Sequence, residues 1–112
     1  MYLTLDRAYE LCLMQWDFVI EELDLDSTLS IGKLKRLWLD RNWSLWEQGD
    51  RPCANCFFCE YDWRHRGRFC SHCPGRLVDK SFDCRNPPYN YVDHPHAFRD
   101  KIRALDKKRR DG

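Results

Sequence analysis

No apolar run in this chain approaches the roughly 20 residues that a helix needs to cross a bilayer, so no membrane partner is expected. Glycine and proline are scarce, five of each in 112 residues, which excludes a collagen-like or a Pro/Gly-rich low-complexity chain. Internal repeats are absent, and with them the solenoid architectures. The first thirteen residues lack the basic, apolar, small-residue order of a secretory leader, because Asp6 and Glu10 interrupt them. The chain is therefore expected to stay in reducing cytoplasm, where cysteines bind metal more often than they form disulfides. A single sign of charge is also missing: the formal net charge is only +1.

What the chain does have is cysteine and aromatic side chains, with seven Cys, five Trp and six Phe. Its length predicts one domain, residues 1–112, with a modest core that a metal staple would reinforce. The near-zero net charge hides an asymmetry. Residues 1–50 carry 5 basic and 10 acidic side chains, and residues 51–112 carry 14 basic and 8 acidic. Such segregation fits a nucleic-acid surface on the basic half, and equally fits two faces of one domain attracting each other.

Apolar residues recur at Leu5, Ala8, Tyr9, Cys12, Trp16, Ile20 and Leu23, the spacing of one helical face. Cys12 falls inside that stripe and reads as a small core hydrophobe. Ser30 can cap a second helix from Ile31, with Leu34, Leu37 and Trp38 sharing a face. A looser continuation from Asn42 to Asp50 would let Trp43, Leu45 and Trp46 cover core surface. Residues 51–92 have little periodicity, which predicts short strands and turns ordered mainly by a metal. Asp93 or His94 as cap and Pro95 in the first turn predict a last helix from Pro95 to Arg110 within residues 93–112, its end being the basic tail Lys107 to Arg110. The fold class expected is thus α plus irregular: two N-terminal helices in residues 1–50, a zinc-knuckle region with little sheet in 51–92, and a C-terminal helix.

The chemistry lies in the cysteines. Cys56-Phe57-Phe58-Cys59 and Cys70-Ser71-His72-Cys73 are two C-x-x-C pairs ten residues apart. The two-residue spacer lets both thiolates reach one ion at about 2.3 Å, and two such turns complete a tetrahedral, structural Zn2+ site. Cys53 and Cys84 are alternates, because Cys53-Cys56 has the same spacing as Cys56-Cys59. His72, between two ligands, reads as a solvent-facing knuckle residue.

Two rival chemistries are present in the pattern. Cys53, Cys56 and Cys59 form C-x-x-C-x-x-C, and Cys73 precedes proline, as in iron–sulfur ligation; the fourth cysteine of that pattern is missing from its run. Asp93-His94-Pro95-His96 looks like the Asp-His core of HNH and endonuclease VII nucleases, in which the histidine activates water beside a divalent ion. Those families place another C-x-x-C afterwards, and no cysteine follows Cys84.

The order of Trp16-Asp17-Phe18, Cys-Phe-Phe-Cys-Glu-Tyr at 56–61, Cys-Ser-His-Cys-Pro at 70–74, Cys84 and Pro88-Tyr89 before a final helix resembles a family of small uncharacterised proteins encoded by bacteriophages. The resemblance runs from about residue 10 to 105. It implies a viral origin, a setting in the bacterial host cytoplasm and a zinc site at the matching cysteines, and it brings no known activity.

The function expected first is a non-catalytic, zinc-stabilised module that binds a host or phage protein, with Arg64, Arg66, Arg68, Tyr89 and Tyr91 at the interface. Nucleic-acid binding through Arg64, Arg66, Arg68, Arg76, Arg85 and the basic tail comes second. An HNH-like nuclease comes third.

Overall fold

The computed structural model describes residues 3–46, 55–66 and 70–111. The first helix, α1, spans Leu5–Leu25. Thr4 caps it, its hydroxyl accepting from the Arg7 N–H at 3.1 Å, and it ends where Asp26 turns extended. The Asp26 carboxylate accepts from the Thr28 N–H and hydroxyl at 3.0 and 2.6 Å, an Asx turn that redirects the chain. Ser30 then caps α2, Ile31–Arg41, by accepting from the Lys33 N–H. A short helix, α3, covers Trp43–Trp46.

The described part of residues 51–92 has the turns that were expected, but short helices stand where short strands were expected. It holds α4, Phe57–Arg64, α5, Pro74–Val78, and a 3-10 turn at Pro87–Tyr89. The last helix, α6, is Pro95–Asp111. No strand occurs among the described residues, and none of their helices is long and apolar enough to cross a membrane.

The central helix is α1, packed by α2, α4, α5 and α6. That position explains why its buried set is wider than one stripe: Leu11, Gln15 and Val19 are enclosed together with Ala8, Tyr9, Cys12, Trp16, Ile20 and Leu23. Across from it, α6 contributes Phe98, Ile102 and Leu105, side chains worth roughly 1.5–3 kcal/mol each when buried. Trp16 meets Phe98 at 5.0 Å between ring centroids, and Tyr9 meets Phe58 edge-on at 4.9 Å.

On α2 the structure corrects the inward face. Leu37 is 37% exposed, whereas Lys35 is 8% exposed. The lysine reaches aromatic walls that hold its aliphatic stem, with its ammonium 5.7 Å from the Trp16 ring and 5.5 Å from that of Tyr91. Trp46 is buried and donates to the Leu39 carbonyl at 2.8 Å, while Trp43, expected to cover the core, is half exposed.

The charge asymmetry is resolved between α1 and α6. Arg103 and Arg99 reach Asp17 at 2.8 and 3.5 Å, His96 reaches Asp24 at 2.7 Å, and Arg109 pairs with Asp6. Acidic α1 and basic α6 therefore meet through ion pairs at Asp6 and Asp17 inside one domain.

Candidate metal centre

Each C-x-x-C pair uses a cysteine to start a helix. Cys56 is the N-cap of α4 and Cys73 the N-cap of α5, which Pro74 then enters at its first position. Cys59 follows within the first turn of α4. Cys70 takes a left-handed backbone (φ 67°), and its carbonyl accepts from the Cys73 N–H at 3.2 Å, closing a tight turn between the paired thiols.

Both C-x-x-C segments are held from α1. The Gln15 amide donates to the Asn55 carbonyl at 3.1 Å and to the Lys35 carbonyl at 3.3 Å, which fixes Asn55, itself left-handed (φ 58°), and hence the entry to Cys56. Two turns earlier, the Tyr9 hydroxyl donates to the Pro74 carbonyl at 2.8 Å, anchoring the residue after Cys73. The two segments are also tied to each other. The buried Asp62 carboxylate of α4 accepts from the His72 N–H at 2.6 Å.

The result is a cavity of about 40 Å³ lined by Cys56, Cys59, Cys70 and Cys73, together with Cys84 and Cys12. Phe58, Phe82 and Phe98 make it apolar, and Arg76 stands at its wall. A hollow of about 160 Å³ shares Cys56, Cys59 and Cys84 and adds Trp16, Lys35, Arg85 and Tyr91. All six of these cysteines are free. No trio of Cys, His, Asp or Glu among the described residues stands at metal-holding geometry; the cysteines ring the cavity.

Burial and neighbouring charges act on the thiols of the ring in different directions, and Asp83 stands on the cavity wall with Arg76. Cys56 is held below the usual thiol range by the neighbouring Cys59 thiol, by Lys35, and by the N–H groups of Cys59 and Phe58 at the start of α4, against the opposing effect of burial. Cys59 is pushed up by its interaction with Cys56 and by burial. Burial is the main cause that raises Cys70 and Cys84, and it pushes Cys73 up to about 12, against the N–H groups of Gly75 and Arg76. Thiols so enclosed cannot all ionise by themselves, whereas a bound soft cation deprotonates its ligands outright. Three cations act on three different cysteines: Lys35 on Cys56, Arg76 on Cys70 and Arg85 on Cys84. A four-thiolate zinc centre carries two negative charges, so the residues present fit that group.

The structure thus brings Cys56, Cys59, Cys70, Cys73 and the alternate Cys84 together; Cys53 lies outside the described residues. Cys12 is enclosed as expected, at 1% exposure, but its place on the same cavity was not legible in the stripe. His72 is exposed, as read. Lys35, Gln15, Asp62 and Arg76 carry no metal signal in the sequence, since their roles depend on where the chain returns.

The expected interface residues differ in their surroundings. Tyr89 is half-buried and stacked on Phe82 at 5.9 Å; Tyr91 is half-buried against Trp16 and Phe98 at 6.2 and 5.9 Å. Arg64 pairs with Glu60 at 2.8 Å, Arg66 is exposed, and Arg68 lies outside the described residues. His94 is an exposed residue whose carbonyl accepts from the Phe98 N–H at 2.9 Å, a helix start, and His96 turns to Asp24. Comparison with protein-family models, curated proteins and solved structures finds no match.

Proposed function

We propose that this protein is a non-catalytic binding module stapled by one structural Zn2+, held by Cys56, Cys59, Cys70 and Cys73 with Cys84 as the alternate ligand. The observation that carries this is the arrival of cysteines from four separate segments at one largely apolar cavity whose charged wall residues are Arg76 and Asp83. Bound zinc would fix α4 and α5 against α1 and leave no open ligand position for chemistry. The iron–sulfur alternative draws on Cys53 as well, and colour and metal content separate the two.

The partner proposed is a host or phage protein in the bacterial cytoplasm, on the strength of the resemblance in the cysteine knuckles. Trp63 on α4 and Leu77 on α5 are 69% and 48% exposed. Both sit on helices that a cysteine begins, and exposed tryptophan is a frequent anchor of protein interfaces. Nucleic-acid binding is the weaker alternative, because α6 directs Arg99, Arg103 and Arg109 to carboxylates of α1. The nuclease alternative has only the exposed His94 and the paired His96 to draw on.

The test is chelator titration of the purified chain, followed by circular dichroism and metal release on one sample. Apparent zinc affinities of about 10–16 kcal/mol in structural sites rival the roughly 5–15 kcal/mol that stabilises a whole domain. Loss of zinc should therefore melt α4 and α5, while α1, α2 and α6 keep much of their helicity. An unchanged spectrum after all zinc has left would show that the metal staples nothing.

A further inference from the structure

Three pairs of cysteines in this chain share the C-x-x-C spacing: Cys53 with Cys56, Cys56 with Cys59, and Cys70 with Cys73. The fold treats the two described pairs differently. Cys56 caps α4 from extended backbone, and Cys59 follows inside its first turn. Side chains three apart at a helix start hold their Cβ atoms about 5–6 Å apart, and a disulfide draws them to about 3.5–4.5 Å. Closure therefore takes a shift of about 1–2 Å. The two thiols already interact, each acting on the other more strongly than burial does. For Cys70 and Cys73 burial comes first instead.

Access separates the pairs as well. The hollow of about 160 Å³ beside the metal cavity has Cys56, Cys59 and Cys84 on its wall, but neither Cys70 nor Cys73. Cys56 and Cys59 are each half-buried and keep some surface for a small reagent, whereas Cys73 is 7% exposed. Reactive cysteines stand at helix N-termini, in C-x-x-C pairs and at partial exposure. Cys56 combines all three.

We propose that Cys56 and Cys59 form a redox-active dithiol that exchanges with low-molecular-weight disulfides, closing to a Cys56–Cys59 disulfide that excludes zinc. The exchange rests on the chain alone, and only its consequence for the metal rests on the proposed zinc centre. With glutathione disulfide, the Cys56 sulfur attacks one sulfur of the reagent. A mixed S–S bond forms, the reagent's S–S bond breaks, and the first glutathione leaves with the proton that Cys56 gives up. Cys59 then attacks the Cys56 sulfur, forms the internal S–S bond and expels the second glutathione, which takes the Cys59 proton. The dithiol loses two electrons and two protons, and the reagent gains them as two thiols. The closed pair withdraws two of the four thiolates that a structural zinc centre needs.

The experiment is incubation of the full chain, as purified, across a range of ratios of reduced to oxidised glutathione, with acid quench, alkylation and peptide mapping. Zinc content is fixed first by elemental analysis, and zinc release is read by a metallochromic dye on the same sample. The Cys56–Cys59 disulfide should form first, reverse when reduced glutathione is restored, and release zinc in step. Cys59→Ser should stop at a mixed disulfide of glutathione on Cys56. Cys84→Ser, which keeps all four proposed ligands, should still close the pair. In denaturant the three C-x-x-C pairs should lose this order and oxidise as a mixture. A chain purified without zinc that still closes Cys56–Cys59 would sink the metal reading and uphold the exchange. A first disulfide at Cys53–Cys56, Cys56–Cys84 or Cys70–Cys73, a chain that stays reduced where the unfolded chain oxidises, or the same order of closure in denaturant would overturn the proposal.

Discussion

Gly75→Ala adds one methyl group and should unfold the protein at a lower temperature. The new Cβ would stand 2.3 Å from Cδ1 of Phe82, 2.6 Å from Cε1 and 2.7 Å from Cγ. Carbon atoms prefer about 3.5–4.0 Å, so the ring must retreat by about 1 Å. It has nowhere to go: Phe82 is 2% exposed and ringed by Phe58, Tyr89 and Phe98 at 6.1, 5.9 and 6.2 Å. Overpacking of this kind costs about 1–3 kcal/mol, and a clash with a ring so enclosed belongs at the upper end. The helix propensity of alanine returns at most about 1 kcal/mol, leaving a net loss of about 2 kcal/mol. At ~4 °C per kcal/mol for a domain of this size, Tm should fall by about 8 °C. Gly32→Ala is the internal control, because its Cβ meets open space and should gain up to about 1 kcal/mol. Thermal unfolding of both variants by circular dichroism checks the pair. Gly75→Ala melting at or above the parent temperature would refute the close packing of Phe82 on α5.

Tyr9→Phe removes the buried donor to the Pro74 carbonyl and should cost about 1–3 kcal/mol in denaturant unfolding, since the carbonyl is left unsatisfied. Ile102→Ala empties a fully enclosed position between α6 and α1 and should cost about 2–5 kcal/mol in the same assay. Asp79 has its pKa lowered to about 2 by the Ser81 hydroxyl and by Lys101, against about 3.9 in an unfolded chain. Its contribution is therefore present above about pH 4 and disappears as the pH falls toward 2. Asp79→Asn should flatten the acid limb of Tm against pH in that window, and an acid limb identical to the parent's would contradict the assignment.

The helix boundaries that sequence foretold are those with local chemistry behind them. Ser30 caps α2 and Pro95 opens α6, whereas the start of α1 at Leu5 followed from apolar spacing and its cap, Thr4, is seen in the structure. The starts of α4 and α5 were missed because cysteine is not among the side chains that usually mark an N-cap, yet Cys56 and Cys73 occupy those positions. Periodicity placed Leu37 inward and overlooked Lys35, because a pattern of apolar residues does not register a lysine whose stem is buried and whose head meets aromatic rings. Gln15 was missed for a related reason. A helix packed by four others encloses residues beyond its apolar stripe, and a polar one among them serves by bonding returning backbone, here Asn55 and Lys35. The two C-x-x-C pairs were legible from spacing alone. The positions of Cys12 and Cys84 on the same cavity follow from the path of α1 and of the segment after α5, which spacing does not encode.

X-ray absorption at the zinc edge, with elemental analysis of the same purified chain, tests the central proposal most directly. About one zinc per chain with four sulfur neighbours near 2.3 Å is the expected result, and Cys73→Ser should remove the metal or replace one sulfur by a lighter ligand. A chain purified without metal, or iron with short iron–iron scattering, would contradict a structural zinc centre.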